Sequence, residues 1–309
     1  MRTRRRATIT ELRAGRRSVE ISRPDKELFP GITKLGLASY YADIAVVMLP
    51  LVSGRALNLE RYPDGIGGHK IFQQHASKHF PDWIKRVRTP KAGGTVEHVV
   101  ANDAATLVYL ANQGVITLHS WLSRIDRLDR PDRLIVDLDP SVEDHATIRT
   151  AARSIADLLS ELGLRPWPMA TGSRGYHLVV SLARRANYDT VRRFSRDLAE
   201  LAQRRHGELF TSEQRKAKRE NKILLDMMRN AFGHTSVAPY SVRPRTRAPV
   251  ATPLALEELS DSGTLPDRWT LETIGKRLER DGDPWREIGS SPQTLGEARR
   301  RLDAALAER

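Results

Sequence analysis

Asp137 and Asp139 are the first residues whose type and spacing suggest chemistry. They close the run Leu134-Ile135-Val136-Asp137-Leu138-Asp139, which Pro140 ends. On a strand, side chains alternate between faces, so acids two residues apart share one side and Val136 and Leu138 take the other. Two carboxylates on one face repel unless a cation lies between them, and a divalent metal with oxygen ligands meets that need. Taken alone, such a pair more often marks surface acids at a strand end. Asp226 follows three apolar residues, Ile223 to Leu225, in a similar setting. Three carboxylates can hold two metals, one activating an attacking oxygen and one holding a triphosphate. A structural acid paired with Arg229 explains Asp226 equally well.

Two further features could act with these acids. Thr171-Gly172-Ser173-Arg174-Gly175-Tyr176-His177 lies between two apolar runs. Its glycines let backbone approach a ligand, and its Thr, Ser, Arg and His side chains can donate to phosphate oxygens. A plain hairpin turn accounts for the same pattern. His119, in Leu118-His119-Ser120-Trp121, sits on the strand expected before the acid pair. A zinc site has no support, because the chain has no cysteine and no HExxH. No Walker-type loop, dinucleotide fingerprint or nucleophile elbow is present.

The elements that must position these residues are legible in outline. Residues 1–17 read as a basic, frayed tail. Ser18 to Ser22 reads as a short strand. Thr33 can cap a helix from about Lys34 to Leu51, closed by Gly54. Strands are expected over Arg55–Tyr62, Val96–Val100, Val115–Leu122 and Leu134–Asp139, with a helix capped by Asn102 over Asp103–Asn112. Ile148, Ala151, Ala152, Ile155, Leu158, Leu159 and Leu162 recur at helical spacing over 145–162. A hairpin is expected over Pro168–Leu182, a helix over 188–206, a strand over Ile223–Met228, irregular chain over Val237–Pro253 and a charged helical tail from Leu271. Strands and helices mixed with hairpins indicate an α+β fold.

Composition narrows the class. The chain has 309 residues, with 51 Lys and Arg against 38 Asp and Glu, a formal charge of +13. That excess favours a polyanionic partner, because neutralising phosphates releases counterions. An arginine-biased proteome would produce part of the same excess. Without cysteines, disulfides and thiol catalysis are excluded. No apolar stretch has membrane-spanning length and no secretory signal follows the basic start, so a cytoplasmic, nucleoid-associated protein is expected.

In combination the motifs become specific. His119, Asp137-Leu138-Asp139-Pro140, Thr171 to His177 and Asp226, in that order, resemble the archaeo-eukaryotic primase superfamily. Lys26-Glu27-Leu28-Phe29-Pro30, Asp82-Trp83, Asp132 to Pro140 and Val237 to Arg243 are similar to the polymerase domain of bacterial ligase D. The resemblance runs from about residue 18 to about 290 and reads as a stand-alone homologue. It implies a primase-polymerase core with a mixed, largely antiparallel sheet flanked by helices. It divides residues 18–290 into an N-terminal lobe (about 18–115) and a catalytic core (about 116–255), followed by a helix over 291–309.

The resemblance also implies roles. Asp137, Asp139 and Asp226 match the catalytic, metal-binding acids, for two Mn²⁺ or Mg²⁺ ions. His119, Thr171, Ser173, Arg174, His177, Arg229 and Arg243 match nucleotide-binding positions, with Phe72 as a base-stacking aromatic. Lys26 and Lys34 match lysines that bind a downstream 5′-phosphate. Arg61, Lys216, Lys218 and Arg219 match primer or template contacts. The implied activity is template-dependent addition of NTP or dNTP, with ribonucleotides preferred, to a primer 3′-hydroxyl at DNA gaps, overhangs or double-strand breaks in non-homologous end joining or related repair. A monomer is expected, with Ku and a separate DNA ligase as possible partners and no membrane association. De novo priming and non-catalytic bridging of DNA ends are the alternatives. Glu60, where relatives carry Lys, departs from the pattern and is expected to weaken a phosphate or sugar contact. Thr171 and Arg174 replace a more usual Ser and Lys, which keeps donors but alters geometry.

Overall fold

The computed structural model describes residues 9–308. The expected basic tail is corrected in part. Residues 1–8 lie outside the described residues, but β1 (Ile9–Ala14) pairs antiparallel with β2 (Arg17–Ser22). Gly15, at φ 62°, makes the turn between them. Alternation along β2 buries Val19 and Ile21, which explains why this charged stretch is ordered. A small ladder of β3 (Glu27–Phe29) and β4 (Ile32–Thr33) follows.

Thr33 caps α1 (Lys34–Asp43) by accepting from the Gly36 N–H. The single helix expected over 34–51 is two, because α2 (Ala45–Val52) leaves α1 at 72°. Among the described residues no single helix is long and apolar enough to cross a membrane, and this bent pair alone passes by length and composition. The pair is mostly a core element, with Leu37, Tyr41, Met48 and Val52 fully buried.

One sheet is built mainly from the N-terminal half. It contains β5 (Leu57–Arg61), β6 (Ile71–Gln73), β7 (Arg86–Lys91), β8 (Gly94–Val99) and, after α3 (Ala104–Asn112), β9 (Val115–Trp121). Asp103, not Asn102, caps α3, and Asn102 instead accepts from the Gly54 N–H. The second sheet holds β10 (Arg133–Asp139), packed under α4 (His145–Glu161), then β11 (Trp167–Ala170) and β12 (Tyr176–Ser181). After α5 (Tyr188–Arg205) come β13 (Phe210–Thr211) and β14 (Ile223–Asp226), and a 3-10 turn over Met227–Asn230. β15 (Thr235–Val237) returns to the first sheet, and β16 (Thr252–Pro253) adds the last edge of the second. Helices α6 (Ile274–Asp281) and α7 (Leu295–Ala307) close the chain.

The first sheet runs β15-β9-β5-β8-β7, with β6 also on β5; the second runs β13-β14-β10-β12-β11-β16. All pairings are antiparallel except β13 with β14. β9 belongs with β5, and β15, far along the chain, joins it. A boundary near residue 115 therefore cuts through one sheet rather than between two lobes. β10 is central, buried on both faces, so its sequence reads as an apolar run instead of an alternation.

Candidate active site

Strand register brings the acids together. Asp137 lies directly opposite Asp226 on β14 and opposite His177 on β12. Directly opposed residues in an antiparallel pair share a face at close range. Asp139, two residues on, joins that face. Carboxylate oxygens of Asp137, Asp139 and Asp226 all lie within 4.8 Å of one another. Such a cluster is unfavourable without cations, and the protein supplies one. Arg229 donates from Nε to Asp137 Oδ2 at 2.9 Å and lies 3.8 Å from Asp226 Oδ2. Asn230 fixes this turn to β10, accepting from the Ile135 N–H at 2.9 Å and donating to its carbonyl at 2.7 Å. Asp226 Oδ1 accepts from the Met228 N–H and caps the same turn. The strand expected to reach Met228 thus ends at Asp226, where its carboxylate captures the backbone.

The acids differ electrostatically. Burial opposes ionisation of Asp137, but His177 Nε2 at 3.3 Å and Arg229 outweigh it and hold the carboxyl well below its usual range. Asp139 is pushed up by burial and by the negative charges of Asp137 and Asp226. Burial works against the Arg229 cation, yet the three acids raise its pKa. The donor set fits a divalent metal: three carboxylates converge, all ligands are hard oxygens, and one arginine leaves their charge undercompensated.

A cavity of about 130 Å³ adjoins the acids, walled by His119, the 171–177 loop, Ser236, Val237, Arg229 and Arg243. Two glycines make its floor possible. A Cβ on Gly175 would lie 2.0 Å from the Leu138 carbonyl oxygen, so the loop packs directly on β10. Gly172 has φ 66° and would meet Arg243 Cγ at 2.7 Å. The loop's donors are unequally placed. Thr171 is buried and spends its hydroxyl on the Gly175 carbonyl at 2.9 Å. Ser173 accepts from Arg245 Nη2 at 2.9 Å. Arg174 is exposed beside the cavity. Arg243 is half-buried, its enclosed Nε has no partner among the described residues, and burial lowers its pKa. A guanidinium with no carboxylate bound to it suits an anionic ligand.

Glu60, expected to weaken a phosphate or sugar contact, is engaged within the protein. It is buried, with Oε2 3.2 Å from His119 Nε2 and Oε1 accepting from the Tyr62 hydroxyl at 3.1 Å, and Lys70 lies 3.5 Å away. Burial raises its pKa, but His119, Arg243 and Lys70 outweigh this and bring it down to about 2. His119 is lowered by burial. Phe72, half-exposed and opposite Glu60 on β6, meets the His119 ring edge-on at 5.6 Å.

Other expected contacts are already engaged within the protein. Lys26 pairs with Asp64 at 2.6 Å. Lys34 is buried, donates to the Ser22 carbonyl, and lies 3.2 Å from Ser22 Oγ and 3.3 Å from Asn112 Oδ1. Burial, Arg23 and Lys26 lower its pKa to about 8. Arg61 donates to the Gln113 carbonyl and to Gln73 Oε1. Arg219 turns inward onto the Glu213 and Gln214 carbonyls, bracing its loop, while Lys216 and Lys218 stay exposed. Sequence reasoning missed Asn230, Arg245 and the Glu60–His119 pair. The chain neighbours of Arg229 and Arg243 hint at the first two; nothing local signals the third.

A family model described as the LigD primase-polymerase domain matches residues 33–285. The multifunctional non-homologous end joining protein LigD of Pseudomonas aeruginosa is 34% identical over 302 residues, covering 96% of this chain and 36% of that protein. The bifunctional LigD of Bacillus subtilis is 31% identical over 263 residues, covering 84% of this chain and 42% of that protein. The chain therefore spans well under half the length of these relatives. The polymerase domain of Mycobacterium tuberculosis ligase D, solved in complex with DNA, aligns with a TM-score of 0.83 at 27% identity, covering 89% of this chain and 99% of that one.

Proposed function

We propose that this chain, which belongs to the LigD primase-polymerase domain family, is a template-dependent nucleotidyltransferase that extends a primer 3′-hydroxyl at gaps or breaks in DNA. The observation that carries this reading is the triad Asp137, Asp139 and Asp226, with oxygens within 4.8 Å of one another beside an arginine-lined cavity. Asp137, Asp139 and Asp226 would hold two Mg²⁺ or Mn²⁺ ions, which supply activation of the attacking hydroxyl and charge neutralisation on the triphosphate. Arg243, Arg229, Arg174 and Ser173 would bind the triphosphate and offset charge as pyrophosphate leaves. His177 holds Asp137 in place, and Glu60 holds His119 at the wall where the nucleotide enters. Phe72, exposed next to His119, offers a stacking surface for a base.

The same reading includes ribonucleotide preference, recognition of a 5′-phosphate near Lys26 and Lys34, template or primer contacts at Arg61, Lys216, Lys218 and Arg219, and a place in non-homologous end joining alongside Ku and a ligase. The +13 charge supports a DNA partner. The deciding experiment is primer extension on a 5′-phosphorylated gap, with rNTP and dNTP, in Mn²⁺ and in Mg²⁺. Asp137→Ala with Asp139→Ala should reduce extension by roughly 10³-fold or more, since such ions contribute several kcal/mol, and leave gapped-DNA binding largely intact. Undiminished extension in Mn²⁺ would sink the reading.

A further inference from the structure

At the opposite end of β10 a second cavity, of about 260 Å³, lies between the C-terminal turn of α2, the start of β10, the end of β12 and residues 283–289. Its charges do not balance. Asp132 takes a bidentate pair from Arg55, both bonds at 2.6 Å, and a further bond from Arg124 Nε at 3.0 Å. Arg133 stands beside this cluster with no carboxylate of its own. It is 6% exposed, and its one hydrogen bond among the described residues runs from Nη2 to the Leu51 carbonyl at 2.7 Å. That carbonyl belongs to the last turn of α2 and also accepts from Arg55 Nε. The negative end of a helix offsets part of one cation. It does not offset two.

Arg133 thus lines the cavity with unused N–H groups. Its direct cross-strand neighbour, Ser181, lines the same wall, and its hydroxyl has no hydrogen bond among the described residues. The other acid lining the cavity, Asp283, accepts on Oδ1 from the Tyr240 hydroxyl and the Trp285 N–H and makes no ion pair with Arg133 among the described residues. Arg286, at the mouth, faces Glu287 at 3.6 Å. Two guanidiniums therefore bond Asp132, and the third, Arg133, stands beside them without an ion pair. Burial and the neighbouring Arg55 charge push the Arg133 pKa down to about 9, the mark of a cation short of counter-charge. A buried charge with no partner is costly, and planar guanidiniums match oxyanions with paired hydrogen bonds.

We propose that this cavity binds a small tetrahedral oxyanion of the phosphate class, held by Arg133, Arg124 and Ser181. Bound there, the anion joins α2, the second sheet and the 283–289 segment, and so stabilises their junction. The site is separate from the acid triad: Arg133 precedes Asp137 by four strand residues, roughly 13 Å.

Thermal melting in phosphate against chloride, at matched ionic strength and pH, tests this. At roughly ten times the dissociation constant the wild-type protein should melt about 3 °C higher in phosphate. Arg133→Met should lose that rise, whereas Arg174→Ala, altered in the triphosphate loop, should keep it. No rise in the wild type, an equal rise in Arg133→Met, or its disappearance in Arg174→Ala would each overturn the proposal. Wild-type crystals soaked in selenate give a readout independent of the folding of Arg133→Met. An anomalous selenium peak within hydrogen-bond reach of the Arg133 guanidinium is expected, and no peak there rejects the site.

Discussion

At the C-terminal end of β10, Asp137, Asp139 and Asp226 gather around Arg229; at its N-terminal end, Arg55, Arg124 and Arg133 gather around Asp132. Strand alternation puts Arg133, Asp137 and Asp139 on one face, so one strand carries opposite charge imbalances at its two ends. The ends differ in access. The acids border a cavity lined by the exposed Arg174, with half-exposed Phe72 packed on His119 of its wall, while Arg55 and Arg133 are closed in by α2 and Trp285. An imbalance open to solvent can exchange its counter-ion with each turnover. An enclosed one uses its counter-ion to join segments. That contrast separates a reaction site from a structural one even though both rest on the same pairing logic.

The contrast can be broken from either side. The double substitution of Asp137 and Asp139 described above has the largest effect on activity and a smaller one on thermal stability, because the repulsion relieved at Asp139 offsets part of the pairing that Asp137 loses with Arg229 and His177. Arg55→Met should do the reverse. Removing the cation leaves Asp132 buried with only Arg124, a loss of about 3–5 kcal/mol, read as a lower denaturant midpoint. If Arg55→Met melts like the wild type, the rear cluster is not structural. Gly175→Ala is intermediate and touches the acid end alone. Its Cβ must displace the loop from the Leu138 carbonyl, a cost of about 1–3 kcal/mol, and extension should fall more than stability does. Equal extension by Gly175→Ala and wild type would show that the loop's seat on β10 does not govern the site.

Glu60→Gln should have the smallest effect and sharpens the comparison through pH. The folded pKa of Glu60 is depressed to about 2 from the ordinary glutamate value of 4.5. Its contribution is therefore present above about pH 4.5 and is lost as pH falls toward 2, because the unfolded chain binds the proton first. The variant should show a shallower loss of stability over that window, by about 1–2 kcal/mol. Its acid limb should otherwise match the wild type, since Asp132, also depressed to about 2 by Arg55 despite burial, remains. An unchanged limb would place the Glu60–His119 contact outside the folded-state energetics.

Local pattern made much of the architecture legible. Helical spacing over 145–162 corresponds to α4, whose Ile148, Ala152, Ile155 and Leu159 are fully buried, and the cap at Thr33 is where the sequence places it. The hairpin around Gly172 and Gly175 is β11 and β12. The strand in Ile9–Ala14 was hidden because its ordering comes from pairing with β2, and charged side chains on its open face masked the alternation. The bend between α1 and α2 was hidden because Leu35 to Val52 carries apolar residues on every side and so gives no helical phase.

The sequence by itself determined which groups could carry charge and which face of each strand or helix they take, because alternation and helical period are properties of local backbone geometry. It therefore placed Asp137 beside Asp139 and put donors in the 171–177 turn. Only the tertiary structure decided which groups meet. The antiparallel register set Asp226 against Asp137, β15 carried Ser236 to the cleft wall, and the pairing of β5 with β9 turned Glu60 onto His119. The same folding gave Arg133 no acid. Those contacts join residues far apart along the chain, 59 positions for Glu60 and His119, and at such separations neither propensity nor spacing specifies a partner; burial and register do.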